Sequence, residues 1–91
     1  MSYKIKYTGR FKKSYNKCVK RGYDISVFEK AVSILSETGT LPQEYRPHLL
    51  SGKFEGYWEC HLQPDWLLIW QKIEDELLLI LTDTGTHSDL F

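Results

Sequence analysis

Apolar and polar residues change period several times along the chain, and each change marks an element. Tyr3, Ile5 and Tyr7 alternate with Lys4 and Lys6, the period-two signature of a half-buried strand. From Gly9 the period lengthens. Phe11, Tyr15, Cys18 and Val19 fall at i, i+4, i+7 and i+8, predicting an amphipathic helix with a basic outer face and a natural stop at Gly22. A second stripe, Phe28, Ala31, Val32 and Leu35, predicts another helix ended by Gly39. Ser26 and Glu29 have capping-box spacing and Asp24 offers a rival cap, a choice the sequence leaves open. TLPQEYRPHLLSG is a connector, since Pro42 and Pro47 forbid regular helix. Three apolar runs follow: KFEGYWECHL, DWLLIWQKIE and ELLLILTD. The breaks at Gln63-Pro64 and Glu74-Asp75 are short enough for hairpins, and TGTHSDLF has room for one helical turn. The pattern predicts one α+β domain over residues 1–91. Its order is β-α-α-β-β-β, with two helices packed on one face of a small antiparallel sheet.

Composition narrows the class. A chain of 91 residues with 42% hydrophobic and 14% aromatic content supports one small core and excludes disorder. It has no long apolar run and no secretory leader pattern, so a cytoplasmic protein without membrane contact is expected. Cys18 and Cys60 fit no ligand spacing and read as reduced core thiols. The zero net charge hides an asymmetry: residues 1–22 hold eight basic residues and no acid, so they carry +8 and the remainder −8. Such a split suits a basic face that meets a polyanion.

The stretch WECHLQPDWLLIW places His61 and Asp65 at the rim of the core, on either side of Gln63-Pro64. Alternation puts Phe54, Trp58, Cys60 and Leu62 on one face of this strand and Glu55, Tyr57, Glu59 and His61 on the other. His48 and His87 lie in the segments that flank the strands, where functional side chains concentrate. Three chemistries use such a set. Zinc would take His48, His61, His87 and Asp65, but the chain lacks the tight ligand spacing of a metal motif, and no metal or other cofactor is expected. Cys60 points away from its neighbour His61, which argues against a Cys–His nucleophile. The third is metal-free RNA cleavage, in which the ribose 2′-OH attacks its own 3′ phosphate. Histidine serves as base or acid near neutral pH, and Asp65 acts as base or orients a histidine. Lys53 and Arg46 would meet phosphate charge, and Trp66 or Phe91 would stack on a splayed base.

The segments RPHLLSGKFEGYWECHLQPDWLLIW and LTDTGTHSDLF resemble the signatures of RelE-superfamily toxins of the YafQ type, and the likeness spans nearly the whole chain. The resemblance implies a ribosome-dependent endoribonuclease of a type II toxin–antitoxin pair that cleaves mRNA in the ribosomal A site without metal. His48, His61, Asp65, His87 and Phe91 match the family's active-site positions, with acid and base roles unassigned. The basic first helix, with Lys12, Lys13, Lys17 and Lys20, would face 16S ribosomal RNA, and a cognate antitoxin protein would be the resting partner. Relatives often carry an arginine just before the T-G-T-H segment or near the second-strand histidine; here Asp83 and Trp58-Glu59 stand there. Gyrase-poisoning toxins of the ParE type share such a fold without being nucleases, and an inactive relative would share it too. The three histidines together favour the nuclease.

Overall fold

The computed structural model describes residues 2–91, so residue 1 of the expected domain lies outside the described residues. Strand β1 (Lys4–Tyr7) leads into helices α1 (Gly9–Lys20) and α2 (Ile25–Thr38). A two-residue strand β2 (His48–Leu49) follows in the connector, then β3 (Trp58–Gln63), β4 (Trp66–Ile73), β5 (Leu78–Gly85) and a terminal turn of helix α3 (His87–Leu90). The five strands are ordered β1-β5-β4-β3-β2.

Local chemistry sets the helix limits. The Thr8 side chain accepts from Phe11 N to open α1, and Asp24 rather than Ser26 caps α2 by accepting from Ser26 N. The helices bury Phe11, Cys18, Phe28, Ala31 and Leu35 against Cys60, Leu62, Trp66, Leu68, Trp70, Leu79 and Leu81. On the opposite face Leu67 and Ile69 are covered by Leu90, with Leu50 and Tyr57 alongside. Strand β4 therefore has no solvent side over Trp66–Trp70, which is why its sequence is continuously apolar instead of alternating.

Besides the short strand β2, which the connector adds to the expected β-α-α-β-β-β order, four expectations change. The sheet is mixed, because β1 runs parallel to β5 while the other pairings are antiparallel. Period identifies a strand and its faces, but it carries no information on direction relative to a strand more than seventy positions away. The second apolar run starts late: Gly52–Phe54 is a 3-10 turn and Gly56 has φ 91°, a conformation that closes a turn and breaks extended pairing before Trp58. Phe54, Glu55 and Tyr57 thus belong to a loop and not to the strand. Val19 is exposed, since Cys18 takes the inward position at the end of α1. Tyr7 is exposed at the sheet edge and rests on the Phe11 ring at 5.5 Å.

One buried polar chain crosses this core. The Trp66 indole N–H donates to Thr84 Oγ1 at 2.9 Å, and the Thr84 hydroxyl donates to the Leu67 carbonyl at 2.6 Å. Thr84→Val keeps the shape and removes both bonds, leaving the indole N–H buried without an acceptor. A loss of about 1–3 kcal/mol is expected, read as a lower midpoint in urea unfolding; an unchanged midpoint would show that the bonds contribute nothing.

Candidate active site

Alternation in β3 sends Cys60 and Leu62 to the helical core and leaves Glu59 and His61 on the other face, opposite Ile69 and Leu67 of β4. His48 of β2 pairs directly with Glu59, so their side chains meet on that face. His48 Nδ1 donates to the Arg46 carbonyl at 2.8 Å, and its Nε2 lies 3.2 Å from Glu59 Oε1. Glu59 is only 5% exposed. Its Oε2 has no partner among the described residues, and neither has the buried Nδ1 of His61. The β3–β4 hairpin carries Asp65 at its tip, and α3 begins with His87. Asp65 Oδ1 accepts from His87 N at 3.1 Å and faces His87 Nδ1 at 2.9 Å.

The result is a row. The imidazole centroids of His48 and His61 are 6.5 Å apart and those of His61 and His87 6.0 Å apart. A carboxylate closes each end, Glu59 behind His48 and Asp65 behind His87. All four residues expected to do chemistry are brought together, from three strands' worth of chain and the terminal helix. Because Asp65 engages Nδ1 of His87, Nε2 is the nitrogen left for a substrate.

Three residues expected at the rim are also near it. Phe91 is 60% exposed and stands edge-on to Phe54 at 5.4 Å, which places it over the turn that carries Lys53. Arg46 is exposed and its carbonyl holds His48. Trp66 is different. It is 2% exposed, its N–H is taken by Thr84, and Tyr23 packs edge-on against it at 4.9 Å. It is a core residue, and a buried ring offers no face to a base, so its expected role in stacking is corrected. Lys12, Lys13, Lys17 and Lys20 are exposed along α1, on the helical side of the sheet.

Two residues gain a meaning that the sequence withheld. Glu59 was legible as a neighbour of His61 on one face, but its link to His48 depends on the two-residue strand β2. Asp83 follows a bulge in β5 and turns to α1, where its carboxylate accepts from Arg10 Nε at 2.8 Å and from the Ser14 hydroxyl. It is a strut between helix and sheet and no member of the row. Cys60 points into the core beside His61, and burial pushes its thiol up, so it supplies no nucleophile. No group of three or more His, Cys, Asp or Glu among the described residues is placed to hold a metal ion.

The comparisons with known proteins bear on the whole chain. Residues 3–91 match the family described as the bacterial toxin of type II toxin–antitoxin system, YafQ. The chain is a member of the YafQ toxin family. The mRNA interferase toxin YafQ of Escherichia coli strain K12 is 38% identical over 88 residues, covering 96% of this chain and 94% of the relative. The fold matches the E. coli DinJ–YafQ toxin–antitoxin complex with a TM-score of 0.88 at 34% identity, over 100% of this chain and 99% of that one. It also matches a metal-bound toxin from Helicobacter pylori with a TM-score of 0.89 at 36% identity, over the full length of both. The α+β architecture of this YafQ-family chain is that of its solved relatives.

The His87 contacts hold the Asp65 carboxyl below the usual aspartate range, first through the imidazole and then through the backbone N–H. A carboxylate whose folded value is depressed stabilises the contact above the ordinary aspartate range and loses it as the pH falls through the lower folded value. In His87→Ala the backbone donor survives and the imidazole is lost. The Asp65 carboxyl carbon, followed by NMR, should therefore titrate at higher pH than in the wild type; an unmoved midpoint would show that the ring does not set it.

Proposed function

We propose that this chain is a ribosome-dependent mRNA endoribonuclease, the toxin of a type II pair, acting on mRNA in the ribosomal A site. The observation that carries the reading is the row of three imidazoles, exposed at His48 and His87 and partly buried at His61, closed at both ends by carboxylates. In the proposed reaction one imidazole removes the proton from the ribose 2′-OH. The oxygen attacks the adjacent phosphorus, and a second imidazole protonates the departing 5′ oxygen. The products are a 2′,3′-cyclic phosphate and a 5′-hydroxyl, and no metal is required. His87, oriented by Asp65, and His61 at the centre of the row are the residues nearest one another for this exchange. His48, held between the Arg46 carbonyl and Glu59, completes the row. Phe91, exposed beside Phe54, would stack on a displaced base, and Lys53 and Arg46 would meet phosphate charge.

The exposed lysines Lys12, Lys13, Lys17 and Lys20 suit 16S ribosomal RNA, with the ribosome holding the substrate. A cognate antitoxin protein is the proposed partner, as DinJ is of the E. coli relative. No described helix is long and apolar enough to cross a membrane, and a ribosomal target makes the cytoplasm the proposed location.

The deciding experiment is primer extension on mRNA programmed into ribosomes. New 5′ ends at codon positions are expected with the wild-type chain. His61→Ala should lower the rate by about 10²-fold or more, the scale of a lost acid or base. A single deoxyribose at the cut position should abolish cleavage, and continued cutting there would exclude 2′-OH attack. Activity should persist in chelator with ribosome integrity held constant; loss that zinc or copper restores would replace the metal-free mechanism.

A further inference from the structure

The basic segment contains two arginines that are engaged by carboxylates. Arg10, at the start of α1, binds Asp83. Arg21, the C-cap residue of α1, donates from Nη1 to Asp89 Oδ2 at 2.6 Å and from Nη2 to Asp89 Oδ1 at 3.1 Å. Asp89 lies between His87 and Phe91 in α3. We propose that the Arg21–Asp89 fork is a positioning clamp that fixes His87 and Phe91 for cleavage, an inference that rests on the nuclease reading above.

Helix α3 spans only His87–Leu90. Four residues cannot hold a helical turn in water unaided, so its geometry is imposed from outside. Leu90 anchors it in the apolar cluster with Leu67 and Ile69, Asp65 holds its first residue and Phe54 meets Phe91 edge-on. The planar fork ties the same turn to the helical side of the sheet, and engaging both carboxylate oxygens fixes orientation as well as distance. The same carboxylate accepts from Thr86 N at 2.9 Å while Thr86 Oγ1 accepts from Asp89 N at 3.1 Å, so the clamp and the helix cap share one group. Arg21 closes α1, its backbone N–H bonded to the Lys17 carbonyl. The pair lies at the surface, with side-chain exposures of 35% and 22%, so what it offers is the fixed two-point geometry more than the strength of the charge attraction. Arg21 holds the Asp89 carboxyl well below the usual aspartate range.

The turn before α3 is equally tight. Gly85 has φ 150°, and a Cβ there would lie 2.8 Å from Asp89 Oδ2 and 2.9 Å from Asp89 Cβ. The chain thus doubles back against the carboxylate that Arg21 grips. Through this one contact the helical side of the sheet controls the two tail residues on the imidazole side.

The test is a double-mutant cycle with Arg21→Gln, Asp89→Asn and both together; asparagine retains an oxygen for the cap. Single-turnover cleavage on programmed ribosomes, at saturating ribosome, is read beside 15N relaxation of residues 87–91 in the free protein. Each single variant should cut about 10-fold to 100-fold more slowly, the scale of a displaced catalytic group. Half-saturation and thermal midpoint should change little, the tail should gain motion, and the double variant should be no slower than the slower single. Rates within twofold of wild type, an unchanged tail, or independent losses that multiply in the double variant would each overturn the clamp. A wild-type chain that leaves mRNA intact overturns the nuclease reading instead. Relaxation in the same variants then still decides whether the pair orders His87 and Phe91.

Discussion

Strand β4 must be dry on both faces, and the rest of the molecule is arranged to make it so. Trp66, Leu68 and Trp70 are met by the two helices, but Leu67 and Ile69 lie on the far side, where so short a chain has no second helical layer to offer. The tail supplies the cover. Once Leu90 is seated on Leu67 and Ile69, His87 is brought beside Asp65 and Phe91 beside Phe54. Burial of apolar surface thereby assembles the polar row. The free energy that closes the core also brings the imidazoles into line.

Electrostatics refine what burial begins. The +8 segment is not a uniform cationic face, because its two arginines are bound to Asp83 and Asp89 on either side of Gly85. What remains without a carboxylate partner among the described residues on α1 is lysine. That division suits the two chemistries: the planar guanidinium holds a carboxylate in a set orientation, whereas flexible ammonium groups suit a polyphosphate surface without a fixed register. Asp83, which the family resemblance marks in sequence as a gap in the phosphate-binding set, is in three dimensions a fastening for α1.

Much of this was legible in the sequence because it depends on local period. The amphipathic helices, the hairpin breaks and the face shared by Glu59 and His61 follow from spacing alone. The two histidines outside β3 were legible as residues in flexible-looking segments, and their convergence with Asp65 was expected from family resemblance more than from physics. What spacing could not reveal was long-range. The parallel pairing of β1 with β5, the two-residue strand that joins His48 to Glu59, and the ion pairs of α1 are all set by which distant segments meet. Trp66 shows the opposite error. A tryptophan beside a candidate catalytic aspartate looks like a stacking platform, yet the β3–β4 turn reverses the chain between them, leaving Asp65 in solvent and the indole in the core.

The pairing of the first strand with the last has a kinetic side. Lys4 sits against Leu78, and Arg21 reaches Asp89, so the contacts that complete the sheet and seat the tail span most of the chain. Such long loops close slowly and late. During synthesis, β1 and both helices emerge long before β5 exists, and the imidazole row has no third member until His87 has left the exit tunnel. The row is therefore incomplete until β5 has paired and the tail has docked on Leu67 and Ile69.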